Sequence, residues 1–182
     1  MMASECFAAP DGSLPGPNYD QFKPIIPSSC SGTHHQDIQG VEKVVFLGDS
    51  VTVGTPPTPE DDYYRSRLTA TLRAKYGDSL EVQSCAQFGA QVEDLLINDE
   101  QLKACFPSGV EPKRTLIVMT NGGNDVFEWA KVPLSATDAL AKAQEVLTSL
   151  RTSIDWLKDP AHFPKGSFVV YANVYELSLI HI

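Results

Sequence analysis

The run Lys43-Val44-Val45-Phe46-Leu47-Gly48-Asp49-Ser50 decides the fold. Alternate residues of a strand face opposite sides of its sheet, so four consecutive apolar residues that stop at a glycine need cover on both faces. That is the signature of a strand in a parallel sheet with helices above and below. Working outward, Tyr64, Leu68, Leu72 and Tyr76 recur at intervals of four, with acids near Asp61 and Gly77 just past the end. The spacing predicts an amphipathic helix over Asp61 to Tyr76. Leu80 to Cys85 reads as a second strand, Gln91 to Ala104 as a second helix with Val92, Leu95, Leu96 and Leu102 inward, and Thr115 to Thr120 as a third strand. Leu140, Ala143, Leu147, Leu150, Ile154 and Leu157 predict a long helix from about Ala136 to Leu157, capped by Ser135 with Asp138. Ser167 to Val174 supplies a fourth strand after the turn residues Pro164-Lys165-Gly166. Strand and helix alternate through three β-α-β units, which predicts an α/β fold, a three-layer α/β/α sandwich around a parallel sheet. This domain takes residues 41–182. Residues 1–40 hold Pro10, Pro15, Pro17, Pro24 and Pro27 and no sustained period, so they read as an extended lead-in.

The 182 residues carry 14 Lys plus Arg against 23 Asp plus Glu, a net charge of −9. That balance argues against a nucleic-acid partner, which requires clustered cations to displace counterions. Apolar runs such as Val44 to Leu47 and Leu116 to Met119 fall far short of the roughly 20 residues of a membrane-spanning helix. Met1 to Pro10 has neither the basic start nor the apolar stretch of a secretory signal. Cys6, Cys30, Cys85 and Cys105 form no C-x-x-C pair, which disfavours zinc. Their even number permits two disulfides, Cys6 with Cys30 and Cys85 with Cys105, and pairing would imply an oxidising compartment; four buried thiols are the alternative.

In parallel sheets chemistry collects at the carboxyl ends of the strands. There the first strand opens into Gly48-Asp49-Ser50, the second into Gln87-Phe88-Gly89-Ala90, and the third into Asn121-Gly122-Gly123-Asn124-Asp125. Acyl transfer needs a nucleophile and donors aimed at the oxygen that becomes negative, and a serine, a glycine N–H and an Asn carboxamide answer that need. Taken alone, Ser50 reads more simply as a helix N-cap. Asp49 reads as a loop-bracing carboxylate, and Asp125, with Gly123, as support for the Gly-Gly-Asn turn through bonds to its backbone N–H groups.

These three blocks, in this order over about residues 43 to 176, resemble the SGNH or GDSL family of serine hydrolases: Gly48-Asp49-Ser50 matches the first, Gly89 the second, and Gly122 to Asp125 the third. The resemblance implies a flavodoxin-like sheet and hydrolysis of esters, such as those of acyl lipids or acetylated sugars, without a cofactor. It makes Ser50 the nucleophile, and the Ser50 N–H, the Gly89 N–H and the Asn124 side chain the oxyanion hole. Phe88, Phe127 and Trp129 flank the second and third blocks, where they would wall an acyl or sugar pocket. The family takes its His and Asp from a D-x-x-H block after the last strand. Asp159-Pro160-Ala161-His162 spells that block, yet it precedes the fourth strand and belongs at the opposite edge of the sheet, so it reads as a decoy. His181 lacks the partner acid, since position 178 is Ser178, and His34, His35 and Asp37 are too sparse for a metal site. The expectation is a fragment that stops near Glu176, before a fifth strand and the catalytic block, and is weak or inactive by itself. A non-catalytic glycan- or lipid-binding domain on the same scaffold is the competing reading. A mononucleotide binder is weaker, because no phosphate-binding glycine motif is present.

Overall fold

The computed structural model describes residues 38–96 and 100–172. Four strands, β1 (Lys43–Gly48), β2 (Glu81–Ser84), β3 (Thr115–Thr120) and β4 (Ser167–Ala172), form one sheet in the order β2-β1-β3-β4, and every pairing is parallel. The helices are α1 (Ser50–Val53), α2 (Tyr64–Tyr76), α3 (Gln101–Cys105), α4 (Gly123–Ala130) and α5 (Ala136–Lys158), with 3-10 turns at Glu60–Asp62 and Val92–Leu95. The result is the α/β sandwich expected, with a flavodoxin-like sheet.

Alternation along the strands builds two cores. Val45, Leu47, Ile117 and Met119 face one side, with Val92, Leu95, Leu102, Cys105 and Leu157 packed over them. Val44, Phe46, Leu116 and Val118 face the other, beneath Leu72, with Tyr64, Leu68 and Tyr76 beside it. The period-four face of the first helix therefore packs as the sequence predicts. Lys43, at the start of β1, is buried against Glu111 at 2.9 Å and Glu81 at 3.1 Å. Among the described residues the outer edge of β4 is unpaired, and no helix is long and apolar enough to cross a membrane.

Several expectations shift. Ile38, three residues ahead of the expected boundary, already packs on the core, and its carbonyl accepts from the Tyr76 hydroxyl at 2.6 Å. Residues up to Asp37, including Cys6, Cys30, His34 and His35, lie outside the described residues, as do Glu176 and His181. The single helix expected over Gln91 to Ala104 is a 3-10 turn and a separate short helix. Asp94 accepts from the Gln91 N–H at 2.8 Å and draws the first turn tight, while Glu100 enters α3 in the left-handed region at φ 50°. On α5, Leu140 and Leu147 face solvent, and the residues turned to the sheet are Val146, Leu150, Ser153 and Leu157. The Ser135 hydroxyl caps α5 by accepting the Asp138 N–H at 3.1 Å, as its position predicts.

Candidate functional site at the carboxyl edge of the sheet

β1 and β3 run in register to their ends, so Gly48 stands opposite Thr120. Gly48 has φ +124°, and a Cβ there would sit 2.1 Å from the Thr120 carbonyl oxygen. Only glycine fits. The next peptide holds the two strand ends together, the Asp49 N–H donating to the Thr120 carbonyl at 3.0 Å. Asp49, not Ser50, is the N-cap of the helix that follows: its carboxylate accepts from the Val51 N–H at 3.0 Å. Ser50 is thus the first residue of α1, where a helical N–H has no intrahelical acceptor. Its side chain is half-buried.

The Asp49 side chain is fully buried and braces the turn as the sequence reading has it, since the Thr120 hydroxyl donates to it at 2.9 Å. Thr52 Oγ1 lies 2.7 Å from Thr120 Oγ1 and 2.6 Å from the Tyr64 hydroxyl. Each hydroxyl has one proton, so once Thr120 donates to Asp49, Thr52 must donate to Thr120 and Tyr64 to Thr52. Burial, ahead of the other influences on it, pushes the Tyr64 phenol upward and keeps that proton in place.

The second loop is joined to the first by the Gln87 N–H, which donates to the Gly48 carbonyl at 2.9 Å. The Ala90 N–H closes back onto the Gln87 carbonyl, and Gly89 takes φ +77° at the third position of this turn, where such turns favour glycine. Gly89 is exposed, and a Cβ on it would meet nothing within 4 Å.

Asn124, half-buried, ties the third loop to the second, its Nδ2 donating to the Ala90 carbonyl at 2.8 Å. A carbonyl only accepts, so this contact fixes which end of the carboxamide is nitrogen, and it occupies one of two N–H donors. Asn124 and Asp125 lie in the first turn of α4, not in an open Gly-Gly-Asn turn. The Asp125 carboxylate bonds its own backbone N–H, within the turn as expected, and also accepts from the Val92 N–H at 3.2 Å, so it braces the second loop across the site. Gly123 is buried beside it. Burial is the first reason that the Asp125 carboxyl titrates above its ordinary range, with Glu93 and Asp94 adding repulsion. Asn121, 2% exposed, donates to the Gln91 carbonyl at 3.4 Å; its own carbonyl accepts from the Tyr171 hydroxyl at 2.6 Å, while its Oδ1 has no partner among the described residues.

Hydrogen bonds thus link the loops after β1, β2 and β3 at one edge, and with them Ser50, Gly89 and Asn124. His162 is not there. Its Nδ1 lies 2.6 Å from the Gly109 carbonyl, its backbone carbonyl accepts from the Glu111 N–H, and its ring stacks on Trp156 at 4.1 Å. Gly109 and Glu111 precede β3, so His162 belongs to the amino edge of the sheet, opposite Ser50. Among the described residues at the Ser50 edge, sequence reasoning misses Thr52 and Thr120, which brace Asp49, and above all Gln101. Its Oε1 accepts from the Gly48 N–H at 2.8 Å and its Nε2 donates to the Gly48 carbonyl at 3.0 Å. A glutamine inside an amphipathic run carries no signal of such a role. Cys85, just past β2, is bonded to Cys105 at the end of α3, one of the two pairings the sequence permits. Among the described residues no three His, Cys, Asp or Glu side chains cluster as a metal site. No family model matches the chain, and no curated protein matches it.

Proposed function

We propose that this chain carries the nucleophile and oxyanion groups of a serine ester hydrolase of the SGNH or GDSL kind. The observation that carries the reading is the linkage of three successive loops at one sheet edge, through Gln87 N–H to Gly48 O and Asn124 Nδ2 to Ala90 O. In this reading Ser50 Oγ attacks the ester carbonyl carbon, its proton passes to a base, and the carbonyl oxygen becomes the anion. The Ser50 N–H, the Gly89 N–H and the free N–H of Asn124 receive that charge; the alcohol leaves with the proton returned by the base as the carbonyl re-forms on an acyl-Ser50 ester, and water then cleaves that ester to the acid and the free hydroxyl. Asp49 and Asp125 hold the first and second loops and take no proton in the cycle.

The substrate in this reading is a carboxylic ester with an apolar acyl group. Val51, Phe88, Val126 and Phe127, each within three residues of a proposed group, are all exposed. A disulfide between Cys85 and Cys105 fits a protein of an oxidising compartment.

The base is the open part. Of four histidines, His162 stands at the wrong edge, and His34, His35 and His181 lie outside the described residues. That observation favours the second reading, a domain that binds an acyl or glycan ligand without turning it over. A fluorophosphonate probe separates the two. The hydrolase reading expects slow labelling at Ser50, faster with added imidazole, because oxyanion groups alone retain about 10³–10⁴-fold over water. Labelling should vanish in Ser50→Ala, fall roughly tenfold or more in Asn124→Ala, and persist in His162→Ala. A chain that stays unlabelled even with imidazole overturns the hydrolase reading and leaves the binding domain.

A further inference from the structure

Gln101 is fully buried, and both ends of its carboxamide meet the same residue, Oε1 on the Gly48 N–H and Nε2 on the Gly48 carbonyl. The pairing has a cause in the sheet. β2 ends at Ser84, opposite Phe46, so β1 runs two residues beyond its neighbour on that side. Gly48 is left without a β2 partner for its N–H, and an orphaned buried N–H is costly. The Gln101 side chain supplies the acceptor that this N–H lacks, and adds a second donor to the Gly48 carbonyl, which also takes the Gln87 N–H at 2.9 Å. Two opposed contacts also fix the carboxamide orientation, since neither survives a flip.

The helix that carries Gln101 cannot hold itself. Five residues are too few for a helix to be stable by its own hydrogen bonds, and α3 is entered through a left-handed residue. Two things anchor it: burial of Leu102 and Cys105 in the core, and the bond from Cys105 to Cys85. Cys85 is itself fixed to the sheet, its N–H donating to the Phe46 carbonyl at 2.9 Å. The disulfide therefore fastens α3 to β1 two residues before the glycine that Gln101 grips, and Ser50 lies two residues after it.

We propose that Gln101 is the positioning residue of the Ser50 turn and that the Cys85–Cys105 disulfide holds it in register, so that the reactivity of Ser50 depends on the oxidation state of that pair. The effect on Ser50 rests on its reading as a nucleophile; the clamp on Gly48 does not. Reduction takes two electrons and two protons from an external dithiol and leaves both cysteines as thiols.

The test uses the whole chain with a fluorophosphonate probe and added imidazole, separating the maximal inactivation rate from the half-saturating probe concentration. Gln101→Met keeps the volume and removes both contacts. It should lower the maximal rate by roughly a hundredfold, the scale of a misplaced reacting group, with half-saturation little changed. Amide exchange at Gly48 should rise in the same variant. Leu72→Ala, on α2 in the core on the other face of the sheet, is the control for lost packing: it should melt earlier yet label at the wild-type rate while folded. Reduction by dithiothreitol should slow wild-type labelling and add nothing in Gln101→Met, because both act through one contact.

Wild-type labelling and unaltered Gly48 exchange in Gln101→Met would overturn the positioning role. An equal effect of reduction in both proteins would overturn the redox link. If the wild type is never labelled, the Ser50 reading fails, and Gly48 exchange still decides the clamp. Should Gln101→Met not fold, Gln101→Glu, which keeps the acceptor and loses the donor, reads the same two quantities.

Discussion

At the scale of single residues the glycines of the first two loops answer to different constraints. Gly48 is closed in by the Thr120 carbonyl, whereas Gly89 has open space where a side chain would go. Gly48→Ala must therefore force apart two strand ends, and should cost more than about 3 kcal/mol in denaturant unfolding. Gly89→Ala meets only the left-handed penalty and should cost about 1–2 kcal/mol. Equal losses would mean that the first turn yields more easily than its geometry allows. Asp125 makes a pH prediction. Because burial raises its carboxyl above the ordinary range, the folded chain binds this proton more tightly than the unfolded chain. The native state then holds more protons across the window above the unfolded pKa, and stability falls as pH rises through it. Asp125→Asn keeps an acceptor for the Val92 N–H and removes the charge, so its melting temperature relative to wild type should climb as pH rises above about 4, the ordinary range of the unfolded carboxyl. Asp125→Ala strands that N–H and should lose about 1–3 kcal/mol throughout.

At the scale of elements the disulfide closes a stretch of chain with a sequence separation of 20, and by loop entropy its removal should cost about 3 kcal/mol. Chemical denaturation of Cys85→Ser/Cys105→Ser against wild type measures it. How well each element can be read from sequence follows from what stabilises it. β1 and β3 are legible residue by residue, because full burial on both faces demands an apolar run that little else produces. α2 is legible because its buried stripe is regular. α3 and α4 are not. α3 depends on a covalent bond and a side-chain pairing between residues 53 positions apart, and no local period reports either. α4 leaves Val126 and Phe127 exposed, so its pattern shows no inward stripe to recognise. α5 has the right length and part of the right face: Leu150 and Leu157 pack on the core as the period predicts, whereas Leu140 and Leu147 satisfy the same period and are exposed, and only the sheet decides between them and Val146. The same division holds in the candidate site. Ser50, Gly89 and Asn124 are marked by their places after strands, while Gln101, Thr52 and Thr120 act only through distant partners.

At the scale of the whole molecule the two edges of the sheet are built differently. The amino edge is closed by charge and aromatic contact, with Lys43 buried against Glu111 and the His162 ring on Trp156. The carboxyl edge is closed by backbone and carboxamide hydrogen bonds around glycines. β1 connects them, flanked by a partner on each side and buried at all six residues. Such a strand opens only when everything opens. The Ser50 turn grows from its last residue, so there is little local slack through which the site could come undone first. In a urea series the fraction of molecules competent to react at Ser50 and the fraction retaining the far-ultraviolet signal should trace one curve with one midpoint. A midpoint for reactivity at distinctly lower urea would show that the turn melts by itself. If the curves coincide, the hydroxyl at the end of β1 is a reporter for the whole fold, and a change that slows it without moving that midpoint has acted on the geometry of the turn and not on the stability of the protein.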